Sequence, residues 1–271
     1  MKKMKRNERI GAIVKVLSDK PNAIFTLSYF TELFNSAKST ISEDIAIVKS
    51  IMEELNLGKV ETISGAAGGV KFIPVLNKEK KEKLLNNLVS ELSDLNRIVP
   101  GGFLYIADIL CNPRYIKEVG EVFAEKYSHS GVDYVMTVET KGIPLATLTA
   151  ERLNVPLVIA RNENKISEGS KLSINYVSGS TGKVQTMYVA KKAIPNGSNV
   201  LIVDDFMRAG GTIKGMEEIV KELNSKVVGA CVLMETKTPE IKMYKNYMSI
   251  LFLEGIINGK IIIHPNEDIL K

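Results

Sequence analysis

Val200-Leu201-Ile202-Val203-Asp204-Asp205-Phe206-Met207-Arg208-Ala209-Gly210-Gly211-Thr212 decides how this chain is read. Four aliphatic residues in a row predict a strand buried on both faces. Two acids close it, and a loop of small residues opens a helix over 213–223. Ligands of open α/β sheets sit beyond the carboxyl ends of their strands, which is where this loop falls. Ala209, Gly210, Gly211 and Thr212 can wrap backbone N–H groups and one hydroxyl around a phosphate, and the helix start adds positive field. The missing Cβ at Gly210 and Gly211 lets the chain approach the anion closely. Asp204 and Asp205 can accept hydrogen bonds from two ribose hydroxyls, or hold Mg²⁺ beside them. An acidic pair by itself reads equally well as a solvated turn; the small-residue cradle after it favours a site.

Outward from that motif, short apolar runs at 134–138, 155–160, 227–233 and 250–253 alternate with helical stretches, as in a doubly wound, mostly parallel α/β sheet. The first 74 residues have another texture. Ile10, Ile13, Val14 and Leu17 mark one helix face, and Leu27, Phe30, Leu33 and Phe34 a short second helix. Ser36 is the expected N-cap of a third, with the stripe Ile41, Ile45, Val48, Met52 and Leu55, and Gly58 its expected C-cap. Residues 59–63 and 70–73 follow as two strands around the turn at 64–69. Three helices and a hairpin have the size of a winged helix-turn-helix DNA-binding domain at 1–74. The remainder, 75–271, is then an effector domain entered through a connecting helix at 75–100, able to pack on either domain or on a second subunit.

The basic arm Lys2, Lys3, Lys5, Arg6 and Arg9 suits DNA phosphates, and Lys38, Ser39, Thr40 and Ser42 stand in the first turns of the expected recognition helix. Lys59 and Lys71 flank the wing. The same three helices and hairpin can also serve as a dimerisation module. A net charge of +5 on 271 residues permits an anionic partner without demanding one. Two cysteines and two histidines exclude a disulfide scaffold and a histidine-centred metal site. With no apolar run near the roughly 20 residues of a membrane span, and no cleavable leader, the expected location is the cytoplasm, with no membrane partner.

The segment around Asp204 resembles the 5-phosphoribosyl-1-pyrophosphate (PRPP) motif of type I phosphoribosyltransferases, and the likeness extends over about 133–212. Glu139-Thr140-Lys141-Gly142-Ile143-Pro144 resembles their pyrophosphate loop, which implies a cis peptide at Thr140-Lys141. Arg161 and Lys165 resemble the basic root of the family's mobile loop, and 167–183 the loop itself. The place of Arg208 is usually small in these enzymes, or an acid that assists protonation of the purine. A guanidinium stays charged and is no general base. Phe206 replaces a smaller aliphatic and stands to stack on a base or to block one. The resemblance therefore implies PRPP binding without transfer.

Both halves together resemble the purine operon repressors of Gram-positive bacteria, on Ser36-Ala-Lys-Ser-Thr-Ile-Ser-Glu-Asp44, the wing Gly65-Ala-Ala-Gly-Gly-Val-Lys71, Pro100-Gly-Gly102, Val135-Met-Thr-Val138, Thr140-Lys-Gly-Ile-Pro-Leu145, Ser173-Ile-Asn-Tyr-Val-Ser-Gly179 and the Asp204 motif. That likeness implies a cytoplasmic homodimer that binds double-stranded operator DNA and represses purine-synthesis genes, with PRPP as the inducer that weakens DNA binding. No catalytic residue and no required cofactor or metal is expected, although PRPP can arrive with Mg²⁺. A pocket walled by Phe206, Phe103 or Tyr105 can also admit guanosine tetraphosphate as a competitor. The alternatives are an active purine phosphoribosyltransferase, or a nucleotide-binding regulator of RNA or protein.

Overall fold

The computed structural model describes residues 4–65, 68–163, 169–178 and 182–271. Helix α1 (Arg6–Asp19) starts where the Glu8 carboxylate accepts the Lys5 N–H at 2.7 Å, and it buries Ile13 and Leu17. Helix α2 (Leu27–Phe34) is capped by the Thr26 hydroxyl, which accepts the Tyr29 N–H. It ends on Asn35, whose left-handed backbone (φ 47°) makes the tight turn into α3 (Lys38–Glu54). Two expected caps are displaced. Ala37, not Ser36, is the N-cap of α3, because the Ser36 hydroxyl turns back to donate to the Phe34 carbonyl at 3.1 Å. At the far end α3 closes with Leu55 and then Asn56 at φ 53°, two residues before Gly58, which leaves Leu55 exposed instead of in the stripe. Strands β1 (Lys59–Ile63) and β2 (Gly69–Ile73) form the antiparallel wing. Phe25 adds a bridge to Val70 and ties the wing to the entrance of α2. Phe30, Phe34, Ile41, Val48, Val60 and Phe72 give this unit its own core.

Helix α4 (Lys78–Leu92), capped by the Asn77 side chain, packs on the second domain. Leu84, Leu85, Leu88 and Leu92 enter the core formed with helix α6 (Pro113–Tyr127) and the last strand of the chain. After α4 a 3-10 turn, Leu95–Arg97, leads into a small hairpin of β3 (Ile98–Val99) and β4 (Phe103–Leu104), then a short helix α5 (Ala107–Leu110). Arg97 holds the hairpin, donating to the Glu91 and Tyr105 carbonyls and to both oxygens of Asp108 at 2.6 and 2.7 Å.

The main sheet contains β5 (Tyr134–Val138), β6 (Leu157–Ala160), β9 (Asn199–Met207), β10 (Lys226–Thr236), β11 (Tyr247–Ile257) and β12 (Lys260–Pro265). Their spatial order is β12-β11-β10-β9-β5-β6, parallel throughout except for the antiparallel edge strand β12. Helix α6 and helix α7 (Ile143–Leu153) cover one face, and α8 (Gly211–Glu222) covers the other together with the hairpin β7 (Lys171–Val177) and β8 (Val184–Ala190). Three strands outrun their apolar cores. β9 reaches Met207, so Asp204 and Asp205 lie inside a ladder, paired as Val232↔Asp204 and Met234↔Phe206, and not in a turn. The segment expected as a loop at 167–183 is, where described, the first arm of the β7–β8 hairpin; 167, 168 and 179–181 fall outside the described residues, as do Ala66 and Ala67 of the wing turn. No helix among the described residues is long and apolar enough to cross a membrane.

Candidate functional site

The neighbouring strands β5 and β9 send their following helices to opposite faces of the sheet. The loops 139–142 and 207–210 therefore diverge and open a crevice of about 880 Å³ at the carboxyl ends of the strands. Thr140, Lys141, Asp204, Asp205, Phe206, Met207, Arg208, Gly210, Gly211 and Thr212 all line it, and Phe103 and Tyr105 reach it from the small hairpin. Ala209, Gly142 and Arg161 do not line it; they hold the groups that do. The Ala209 carbonyl accepts the Met243 N–H at 2.8 Å. Gly142 packs so closely that a Cβ there would lie 2.5 Å from Thr137 Oγ1 and 3.0 Å from Asp204 Oδ1. The Arg161 guanidinium meets Glu139 at 3.3 Å, and the Asn162 N–H donates to the other oxygen of that carboxylate at 2.6 Å. Lys165 lies outside the described residues. The cis bond implied at Thr140-Lys141 is found one peptide earlier, at Glu139-Thr140.

Electrostatics single out Asp204. It is buried, and the Asp205 N–H donates to its Oδ1 at 2.9 Å. Burial, and then the neighbouring Asp205 charge, raise its pKa well above the ordinary carboxyl value. A carboxyl in that state is relieved by a hydroxyl partner or by a cation beside the pair, so the donor set fits either ribose hydroxyls or a magnesium ion carried by a diphosphate. The Tyr176 phenol, on β7, donates to Gln185 at 2.8 Å, and its pKa is raised by burial and by Asp204. Arg208 is exposed at the mouth.

Sequence reasoning missed part of this wall. Tyr176, Ser178 and Gln185 arrive from the β7–β8 hairpin, and Thr236, Thr238 and Glu254 from the ends of β10 and β11. The alternation 171–177 was a usable strand signal for the hairpin. No local pattern announced Glu254, which is gripped by Lys237 at 2.9 Å and His264 at 3.0 Å.

On the winged unit the expected DNA contacts divide. Lys38, Ser39 and Ser42 are exposed on the first turns of α3, and Thr40 is half-buried. The exposed face continues through Ala46 to Lys49, a residue the sequence reading overlooked although it stands seven after Ser42. Lys5 is exposed; Arg6 is half-exposed and reaches Glu43 and Asp44 at 3.6 and 3.4 Å. Lys59 is exposed and bonded to Glu61 at 2.7 Å. Two assignments are corrected. Arg9 is buried on the inner side of α1, where its Nε donates to Asp44 at 2.7 Å and Nη1 to the Met4 carbonyl. Lys71 is buried beside Glu61, its cross-strand partner, 3.9 Å away, and outside the core that Val70 and Phe72 enter. A cation spent on an internal carboxylate is withdrawn from DNA. Lys2 and Lys3 lie outside the described residues.

Residues 5–74 match the family model of the bacterial purine repressor N-terminal domain, and residues 106–263 that of the phosphoribosyl transferase domain. The chain is 45% identical, over 94% of its length and 89% of the relative's, to the purine biosynthesis transcriptional repressor PurR of Bacillus subtilis strain 168. It is 40% identical, over 93% of each chain, to the purine biosynthesis transcriptional activator PurR of Lactococcus lactis subsp. lactis strain IL1403. Among solved structures, adenine phosphoribosyltransferase from Rhodothermus marinus DSM 4252 shares the fold with a TM-score of 0.55 at 22% identity, covering 64% of this chain and 99% of that one.

Proposed function

The chain belongs to the family of bacterial purine-biosynthesis transcription regulators, and from that premise we propose that it represses purine-synthesis genes as a PRPP-sensing, DNA-binding homodimer in the cytoplasm. The observation that carries the effector assignment is the buried Asp204 with the half-buried Asp205, followed by the small-residue loop at the β5/β9 divergence. The pair accepts the ribose hydroxyls, with or without magnesium. The loop 208–212 takes the 5-phosphate, and Thr140 with Lys141 takes the pyrophosphate. Repression is favoured over activation by the higher identity to the repressor of Bacillus subtilis.

Arg208 occupies the place where purine transfer would set an acid, and its guanidinium stays charged. The protein therefore binds PRPP without consuming it. Phe206, Phe103 and Tyr105 offer ring surface for a base, so guanosine tetraphosphate is a competing ligand of the same crevice. DNA is engaged through Lys38, Ser39, Ser42 and Lys49 of α3, with Lys5 and Arg6 on phosphates.

Fluorescence anisotropy on a purine-gene control region, with and without PRPP, tests the whole reading. PRPP is expected to lower DNA affinity in the wild type and to have no effect on an Asp204→Ala, Asp205→Ala variant. A variant that still responds fully removes the acidic pair as the sensor. Turnover of adenine, guanine, hypoxanthine or xanthine with PRPP would replace the regulator reading with an enzyme.

A further inference from the structure

The segment 237–246, between β10 and β11, is inverted in polarity. Ile241 and Met243 are 83% and 56% exposed, whereas Lys242 between them is 8% exposed. Its ammonium lies under the phosphate loop and donates to the Arg208 carbonyl at 2.6 Å, to the Thr236 carbonyl at 2.5 Å and to Thr236 Oγ1 at 3.5 Å. It forms no ion pair among the described residues, and burial pushes its pKa down against the pull of Glu235. A buried cation with no carboxylate in direct contact is costly, and leaving apolar side chains in water adds to the cost.

The next residues continue the grip. The Met243 N–H donates to the Ala209 carbonyl, and the space behind Gly210 is closed by the Met243 and Tyr244 backbone, 3.5 and 3.4 Å from where a Cβ would stand. The carbonyls of Arg208 and Ala209 are thus both held by the 236–243 segment, the first also by the Thr236 hydroxyl at 3.4 Å. In a planar trans peptide the N–H points opposite to the C=O. Holding those two carbonyls turns the Ala209 and Gly210 N–H groups to the side opposite the 236–243 segment, Gly210 being the one that lines the crevice, and neither donates to any other group among the described residues.

We propose that Lys242 is the positioning residue of the 5-phosphate subsite: it fixes the 208–210 carbonyls so that the following N–H groups face the anion, and its charge is balanced by the bound phosphate. This rests on the reading that the crevice binds PRPP. The expectation is selective. Lys242→Met in the full-length protein should lower affinity for ribose 5-phosphate about tenfold or more, as for a lost charge-assisted contact. Affinity for inorganic pyrophosphate, held by the other loop, should not change.

Calorimetry with those two ligands and PRPP reads the difference. Unchanged ribose 5-phosphate affinity in Lys242→Met, or equal loss of both ligands, overturns the role of Lys242. A wild type that binds none of the three overturns the underlying reading instead. Hydrogen exchange on the wild type needs no variant. The Ala209 and Gly210 amides should exchange freely without ligand and become protected with ribose 5-phosphate; protection already present in the free protein overturns the proposal.

Discussion

At the scale of single residues, Asp204 sets stability against function. Its pKa lies above the ordinary 3.8, so between that value and the raised one the folded protein keeps a proton that the unfolded chain has lost. Stability therefore falls as pH rises through that window. Asp204→Asn is expected to melt higher than the wild type at pH 7, with the gap closing toward pH 4, while losing PRPP affinity by roughly tenfold or more. Thermal melts across pH, paired with calorimetry, check both halves. Gly142→Ala tests the other wall: its methyl meets Thr137 Oγ1 and Asp204 Oδ1, and should cost about 1–3 kcal/mol in denaturant unfolding and displace the acid. Arg9→Leu leaves the buried Asp44 carboxylate with Arg6 alone, 3.4 Å from its other oxygen, and should cost about 3 kcal/mol. The acidic pair was legible in the sequence because it interrupts an apolar run. Arg9 was misread because a Lys/Arg cluster does not reveal which member turns inward.

At the scale of elements, α3 shows what periodicity resolves and what it leaves open. The stripe Ile41, Ile45, Val48 and Met52 fixed the buried face, and so the exposed face carrying Lys38, Ser42 and Lys49. Lys38→Ala and Lys49→Ala are each expected to weaken DNA binding on every sequence alike and to lower the salt slope by about one, read by anisotropy between 50 and 200 mM salt. Lys71→Met, buried beside Glu61, should leave that slope unchanged. Strand ends were less legible than helix faces. The runs 200–203 and 250–253 ended where apolar residues ended, but the ladder continues through Asp204 to Met207 and through Glu254 to Ile257, because neighbouring backbones supply partners whatever the side chain. The β7–β8 hairpin was lost for another reason: the resemblance made 167–183 a mobile loop, although the alternation at 171–177 is a strand signal.

At the scale of the whole molecule, polar contacts join the two domains. Asn22 donates to the Arg152 carbonyl at 2.8 Å, Lys80 to the Asn56 carbonyl at 3.0 Å, and His129 stands 3.7 Å from Glu61 on the wing. Between the end of β2 and the start of α4 there are only residues 74–77, and α4 is anchored in the effector core. Under the proposed function, reciprocity requires that any factor by which PRPP lowers DNA affinity equal the factor by which DNA lowers PRPP affinity. Inserting six Gly/Ser residues after Pro74 should leave each binding event within about twofold and abolish that shared factor, since a flexible joint transmits no displacement. Calorimetry of PRPP with and without operator DNA measures it directly. The sequence announced both domains but not their seating, because the contacts between them come from residues scattered among surface positions.

The brevity of that junction also bears on how such a chain could arise. Joining the genes of a nucleic-acid binder and a sugar-phosphate binder yields two activities at once, yet no signal passes between them while the seam is loose. With four residues at the seam a shift of one unit is felt by the other, so a few added codons are enough to turn communication back into cohabitation.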